Sequence, residues 1–198
     1  MRTDRISRPS WLSALALVAA AAGLAAGPSR PGGVVTLDGA ALDPLAGEGG
    51  PTVFVFARTD CPISNRYAPE LRRLHERFAR QGARFWRVYP DGDETVEEIR
   101  RHGEEFAFGF AALRDPGHLL VRLTGAKVTP EVAVFTRGAD GPRMVYRGRI
   151  DDRATDFGRT RPTPTRRDLE EVLDALAVGR PVPSHATRAV GCFIPDRE

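Results

Sequence analysis

The stretch that most constrains this chain runs from Pro51 to Leu71. Thr52 to Phe56 is apolar on both alternating faces and β-branched at Val53 and Val55, the pattern of a central strand covered on both sides. Ala57 to Asp60 is a short polar connection. A helical run opens at or just after Cys61, with Pro62 in its first turn, where proline costs least. Leu71, Leu74, His75 and Phe78 continue it at helical spacing. Pro69 lies inside that run and is expected to kink it, since the apolar spacing resumes beyond it. One cysteine therefore stands at the C-terminal end of a buried strand and the N-terminal end of a helix.

That position has chemical consequences. Unpaired backbone N–H groups and the positive end of the helix dipole favour an anion there. A thiolate is such an anion, and it is the reactive form in disulfide exchange, so Cys61 reads as a nucleophile. Ser64, one helical turn on, is placed to donate its hydroxyl to the sulfur. Asp60 opposes the charge from the other side.

The rest of the chain reads as α/β. Val34 to Leu37 is an edge strand in a Gly-rich segment, and Ala83 to Tyr89 is a second strand ended by Pro90-Asp91-Gly92. Glu94 to Phe106 is a charged amphipathic helix with Val96, Ile99 and Phe106 inward. A short strand over 111–114 and a helix over 118–123 follow. Strands over 131–136 and 144–147, separated by Gly138-Ala139-Asp140-Gly141-Pro142, read as a hairpin. Asp168 to Val178 is a closing helix with Leu169, Val172, Leu173 and Leu176 on one face. Strands alternating with helices, then a hairpin and a last helix, make an α/β sandwich.

Met1 to Gly27 reads as a secretory signal peptide. Arg2, Arg5 and Arg8 precede an apolar run from Trp11 to Ala26, and small residues close it. The run is short for a membrane span of about 20 residues, which disfavours an uncleaved anchor. The expected division is a signal peptide over 1–27, a single folded domain over 28–180 and a tail carrying Cys192 over 181–198. The mature protein is expected outside the cytoplasm, periplasmic or otherwise extracytoplasmic, with no stable membrane association after cleavage.

Composition excludes some classes. Loss of Arg2, Arg5, Arg8 and Asp4 with the leader takes the formal charge from +3 to +1. Lys127 is the only lysine, and no cluster of arginines is interleaved with aromatics, so no nucleic-acid partner is expected. His75, His102, His118 and His185 show no metal-ligand spacing among themselves or with the cysteines, so neither a metal nor a cofactor is expected.

The segment Thr59-Asp60-Cys61-Pro62-Ile63-Ser64-Asn65-Arg66-Tyr67-Ala68-Pro69-Glu70 resembles the active-site segment of the thioredoxin superfamily, in its Cys-x-x-Ser form. More narrowly it resembles exported redoxins, the peroxiredoxin-like group of the alkyl hydroperoxide reductase/thiol-specific antioxidant (AhpC/TSA) family. The resemblance covers most of residues 33–195 and is specific around Cys61 and near the C-terminus. It implies a three-layer α/β/α thioredoxin-like fold with a central mixed β-sheet. It also implies a cis-proline beside the cysteine. Carried onto Val128-Thr129-Pro130-Glu131, Pro130 would face Cys61, and the Thr129 backbone would pair with an extended substrate segment.

The resembled group often ends in a Gly-Cys segment, as Ala189-Val190-Gly191-Cys192-Phe193-Ile194 does here. Two cysteines in an exported protein suggest one pair. Three versions stand open: Cys192 resolves Cys61 in a redox cycle, which ranks first; the two form a permanent structural disulfide; or Cys192 stays free or bonds another chain. Ser64 forms no disulfide, so release of a substrate from Cys61 must come from Cys192, an external thiol or the substrate's second cysteine.

The implied function is thiol–disulfide oxidoreduction. Cys61, Ser64 and Cys192 are its catalytic residues, and Thr129 and Pro130 bind substrate. The partners are a thiol or disulfide protein substrate and an external electron donor. A thiol peroxidase is the first alternative. Peroxiredoxins place a threonine three residues before the peroxidatic cysteine, however, where this chain has Arg58, and that cysteine aligns nearer Ser64 than Cys61. A non-enzymatic binding module with a static disulfide is the second alternative. Arg66 and the run Arg149-Ile150-Asp151-Asp152-Arg153 are weaker candidates, read as a surface arginine and a turn.

Overall fold

The computed structural model describes Met1 and residues 33–195 apart from Glu48. The expected signal peptide therefore lies outside the described residues.

In chain order the elements are β1 (Val35–Thr36), β2 (Thr52–Phe56), α1 (Pro62–Arg66), α2 (Ala68–Ala79), β3 (Arg84–Tyr89), α3 (Val96–Glu105), β4 (Ala112–Arg114) and α4 (Leu119–Thr124). They continue with β5 (Val128–Thr129), β6 (Glu131–Gly138), β7 (Gly141–Gly148), β8 (Ala154–Asp156), β9 (Arg159–Thr160), α5 (Asp168–Ala177) and β10 (Cys192–Phe193). The central sheet has the order β1-β4-β3-β2-β6-β7. It is mixed: β2 runs parallel to β3 and β3 to β4, whereas β1, β6 and β7 join antiparallel.

The pattern of β2 explains its place. All five of its residues are buried, and alternate side chains enter different cores. Val53 and Val55 pack with Leu71, Leu74 and Phe78 of α2 and with Leu169, Val172 and Leu173 of α5. Phe54 and Phe56 pack with Val34, Leu120 of α4, Phe135 and Ile194. A third small core holds Ile99 of α3 against Ala57, Tyr89 and Ala112. Helices α2, α3 and α5 thus cover one face and α4 the other, which is the expected three-layer architecture. Burying a Leu or Phe contributes about 1.5–3 kcal/mol, so the Phe54/Phe56 and Leu71/Leu74 positions anchor the two layers.

The kink at Pro69 is a one-residue break. Pro69 has no N–H to give the Asn65 carbonyl, so α1 ends at Arg66 and α2 restarts at Ala68, while the Leu71 N–H reaches the Tyr67 carbonyl at 2.9 Å. The expected charged helix forms as α3, with Thr95 and Glu98 making a reciprocal capping box. Ile99 is buried as expected, whereas Phe106 is only half-buried and His102 takes an unforeseen buried place. The hairpin β6–β7 is longer than expected and carries a register shift between Val134 and Phe135. The two-residue strands β5 and β10 and the β8–β9 hairpin had no signal strong enough to read.

The last segment is tied back to the fold at several points. His185 Nδ1 is paired with the Val145 carbonyl at 3.0 Å, and Arg147 near the end of β7 donates its N–H to the His185 carbonyl and accepts the Thr187 N–H, both at 3.0 Å. A Cβ on Gly148 would lie 2.3 Å from Thr187 Oγ1, so glycine there admits the tail. Among the described residues no helix is long and apolar enough to cross a membrane.

Candidate active site

Cys61 is fully buried and caps α1. Its backbone is extended, its carbonyl receives the Asn65 N–H, and its Sγ receives the Ser64 backbone N–H at 3.4 Å. Ser64 therefore touches the sulfur, but through its amide rather than the hydroxyl assigned from sequence. The reason is geometric: at an N-cap the third residue on presents its free N–H to the capping side chain. The Sγ–H donates to the Thr129 carbonyl at 3.0 Å, a contact across 68 residues of sequence.

The Thr129–Pro130 bond is cis, as the resemblance implied. Thr129 is fully buried at the end of β5, and its Oγ1 has no hydrogen-bond partner. Its edge is not open. The tail strand β10 pairs antiparallel with β5, setting Cys192 opposite Thr129 and Phe193 opposite Val128. The Ile194 N–H continues the pairing to the Lys127 carbonyl at 2.9 Å. The place expected for a substrate strand thus holds the chain's own C-terminal segment.

This pairing brings the two sulfurs to 2.6 Å, across 131 residues of sequence. A disulfide needs about 2.05 Å, so bonding asks for only a small approach. Cys192 is half-buried. Its thiol is pushed up to about 12, first by burial, then by the hydrogen bond and charge of Cys61. In this arrangement Cys192 keeps its proton at neutral pH.

The carboxylate expected to oppose Cys61 is turned away. Asp60 is exposed and paired with Arg58, Nε to Oδ1 at 2.9 Å and Nη2 to Oδ2 at 3.0 Å. Arg66 is exposed. Asp152 accepts from the Thr165 and Arg166 amides, the Thr165 hydroxyl and Arg161, and so ties the loop between β7 and α5, in keeping with a turn role for that run. Its neighbour Asp151 reaches the site instead, accepting from Tyr67 Oη at 2.6 Å. Burial and this carboxylate push the Tyr67 phenol well above its ordinary range.

Behind the cysteine runs a buried polar chain that sequence reading missed. Arg87 Nη1 donates to Tyr89 Oη at 3.1 Å, and Tyr89 Oη contacts His102 Nδ1 at 2.7 Å. His102 Nε2 contacts Asn65 Oδ1 at 2.7 Å, and Asn65 Nδ2 donates to the Thr59 carbonyl at 3.0 Å. One assignment of protons satisfies every member: the tyrosine donates to Nδ1, and Nε2–H donates to Asn65. Burial, then the Arg87 charge, lower His102 to about 4, so it is neutral in this role. Glu94, also buried, accepts the Thr59 N–H at 2.7 Å, and burial raises its carboxyl. Both ends of the Thr59 residue are therefore held. The Asn at the fourth position after Cys61 was the one available signal. The burial of His102 and Glu94 had none, because both lie in polar runs.

Among the described residues no group of three or more His, Cys, Asp or Glu side chains is placed to hold a metal ion. Residues 35–143, more than half of the 198, match the AhpC/TSA family. No curated protein is detectably similar in sequence. The fold is similar to that of an uncharacterized conserved protein from Geobacillus kaustophilus, with 25% identity, 83% of this chain and 88% of that one covered, and a TM-score of 0.68. It is also similar to a hypothetical protein from Sinorhizobium meliloti 1021, with 21% identity, 81% and 88% covered, and a TM-score of 0.64. A secreted Mycobacterium tuberculosis disulfide oxidoreductase homologous to E. coli DsbE is similar at 23% identity over 57% of this chain and 80% of that one, at a TM-score of 0.46. With a helix-capping cysteine beside the Thr129–Pro130 peptide and a matching span that includes both, the chain belongs to the AhpC/TSA family as a redoxin of thioredoxin-like fold.

Proposed function

We propose that this protein is an exported thiol–disulfide oxidoreductase in which Cys61 is the nucleophile and Cys192 resolves it. The observation that carries the reading is the juxtaposition of the two sulfurs at 2.6 Å, made by a tail strand seated against the residue before the cis-proline. In the proposed cycle the Cys61 thiolate attacks a substrate disulfide. A Cys61–substrate bond forms, the substrate's own sulfur–sulfur bond breaks, and its second sulfur leaves with the electron pair. The Cys192 sulfur, having lost its proton to solvent, then attacks Cys61 Sγ. That forms the Cys61–Cys192 disulfide and releases the reduced substrate. An external dithiol reduces the pair and completes the cycle. Ser64 contributes its amide to the Cys61 sulfur, and Thr129 and Pro130 form the wall on which an extended segment pairs.

The arrangement goes with the division into a signal peptide over 1–27, a domain over 28–180 and a tail over 181–198, and with an extracytoplasmic place where disulfides persist. Peroxidase chemistry has less support. Arg58, at the position three before the cysteine, is engaged with Asp60 and lies 3.6 Å from Asp91.

The test is thiol labelling and mass spectrometry of the purified mature protein across a glutathione series. The expected result is a Cys61–Cys192 disulfide that opens and closes reversibly within the series. A bond that no glutathione ratio opens would make the pair a structural staple. Two thiols that never pair would remove Cys192 from the cycle.

A further inference from the structure

Gly191 lies against the floor of the site. A Cβ there would stand 2.2 Å from the Thr129 carbonyl oxygen, 2.6 Å from its carbon and 3.1 Å from the Pro130 nitrogen. The backbone of Gly191 is not in the left-handed region, so conformation does not require glycine; space does. The atoms it would strike are backbone. Thr129 is fully buried, Glu131 behind Pro130 opens β6, and the same Thr129 carbonyl accepts from Cys61. No flexible side chain is available to give way.

The next positions differ. Phe193 is 80% exposed, whereas Ile194 is 8% exposed and packed in the core with Phe54, Phe56 and Leu120. Along the tail the site therefore excludes a side chain before the cysteine, ignores the residue after it and buries an apolar side chain two places after it.

We infer that the tail reports the substrate specificity of the site: the edge of β5 takes extended protein segments of the form Gly-Cys-x-apolar. The inference rests on the reading of Cys61 as nucleophile. Cys61 is fully buried and its sulfur meets Cys192 Sγ at 2.6 Å, so a strand that replaces the tail on this edge brings its sulfur to the place of Cys192 Sγ. A strand that brings it there on the β5 edge sets its preceding residue where Gly191 stands. Substrate and tail compete for one edge, and Cys192 returns to it as the product leaves.

The probe is a peptide series in which the cysteine is held as a mixed disulfide with thionitrobenzoate. The residue before it is Gly, Ala or Val, and the residue two after it is Ile or Asp. The protein is the full chain with Cys192→Ser. Cys61 attacks the peptide sulfur, the Cys61–peptide bond forms as the bond to thionitrobenzoate breaks, and thionitrobenzoate leaves as its thiolate. Mass spectrometry identifies the peptide adduct on Cys61. Each rate is divided by that of the same peptide with glutathione, which removes differences in intrinsic reactivity. The tail of the Cys192→Ser protein competes equally against every peptide.

A buried methyl forced against fixed backbone should slow the Ala peptide about tenfold or more, and Val further. Asp in place of Ile should slow the Gly peptide by a similar factor. Relative rates within about twofold across Gly, Ala and Val would overturn the specificity while leaving Cys61 a nucleophile. No adduct with any peptide would overturn the reading of Cys61 itself, and the inference with it.

Discussion

The two cysteines sit side by side but are held in different ways. Cys61 caps the helix that follows β2, a five-residue strand at the centre of the sheet with a core on each face. Cys192 belongs to a two-residue strand on the edge of another two-residue strand, and the next residue is exposed. Moving Cys61 means disturbing the core. Moving Cys192 means giving up the β5 pairing and the burial of Ile194. A thiol pair built this way has one fixed member and one that can leave, which a resolving cysteine needs if substrate is to reach the other. Edge pairing of two short strands is marginal by itself, so the disulfide and the tail's anchors at Thr187 and Ile194 would decide whether it stays.

This contrast can be broken most severely at its fixed member. Cys61→Ser should abolish disulfide exchange and leave far-UV circular dichroism and cooperative unfolding unchanged, since serine occupies the same space. Retained exchange in an insulin-reduction assay would sink the assignment of Cys61. The next effect is at the tail. Gly191→Val should keep the fold but slow formation of the Cys61–Cys192 disulfide about tenfold or more, because the tail can no longer lie on the Thr129–Pro130 peptide. Stopped-flow oxidation of the reduced protein reads this directly. An unchanged closure rate would mean the tail does not need that close approach.

The smallest effect tests the frame behind Cys61. His102 is lowered from 6.5 to about 4 in the folded protein. The unfolded chain binds the proton first as pH falls, so this contribution to stability is full above about pH 6.5 and is lost progressively toward pH 4. His102→Asn removes that titration. Urea unfolding at several pH values should therefore show a shallower decline between pH 6.5 and 4 for the variant than for the parent. Equal slopes would indicate that folding does not lower His102, and the neutral tautomer that accepts from Tyr89 and donates to Asn65 would have to be given up.

Much of the frame could be read from local pattern. The doubly apolar run of β2, the proline-tolerant start at Cys61, the charged amphipathic run of α3 and the glycine-marked hairpin each announce themselves within a few residues. The site was legible where it is local. Cys61 is the clearest case, and the cis-proline became legible only through a family resemblance. What local pattern did not show were matters of partner. Ser64 was given a hydroxyl role, yet N-cap geometry brings its amide to the sulfur. Thr129 was given a substrate strand, and it carries the chain's own tail. His102 and Glu94 were given no place in the site, and both are buried.

The sequence by itself determined that a cysteine would stand between a buried strand and a helix, because strand periodicity, helix periodicity and the tolerance of proline at a helix start act over short distances. Only the tertiary structure decided that Cys192 would meet it, that the Thr129 carbonyl would lie against both the tail and Cys61, and that Gly191 would have no room for a side chain. Those contacts join positions 62 to 131 residues apart through strands of two residues. Such short strands carry no periodic signal of their own, and their pairing is set by where the surrounding core leaves an open edge.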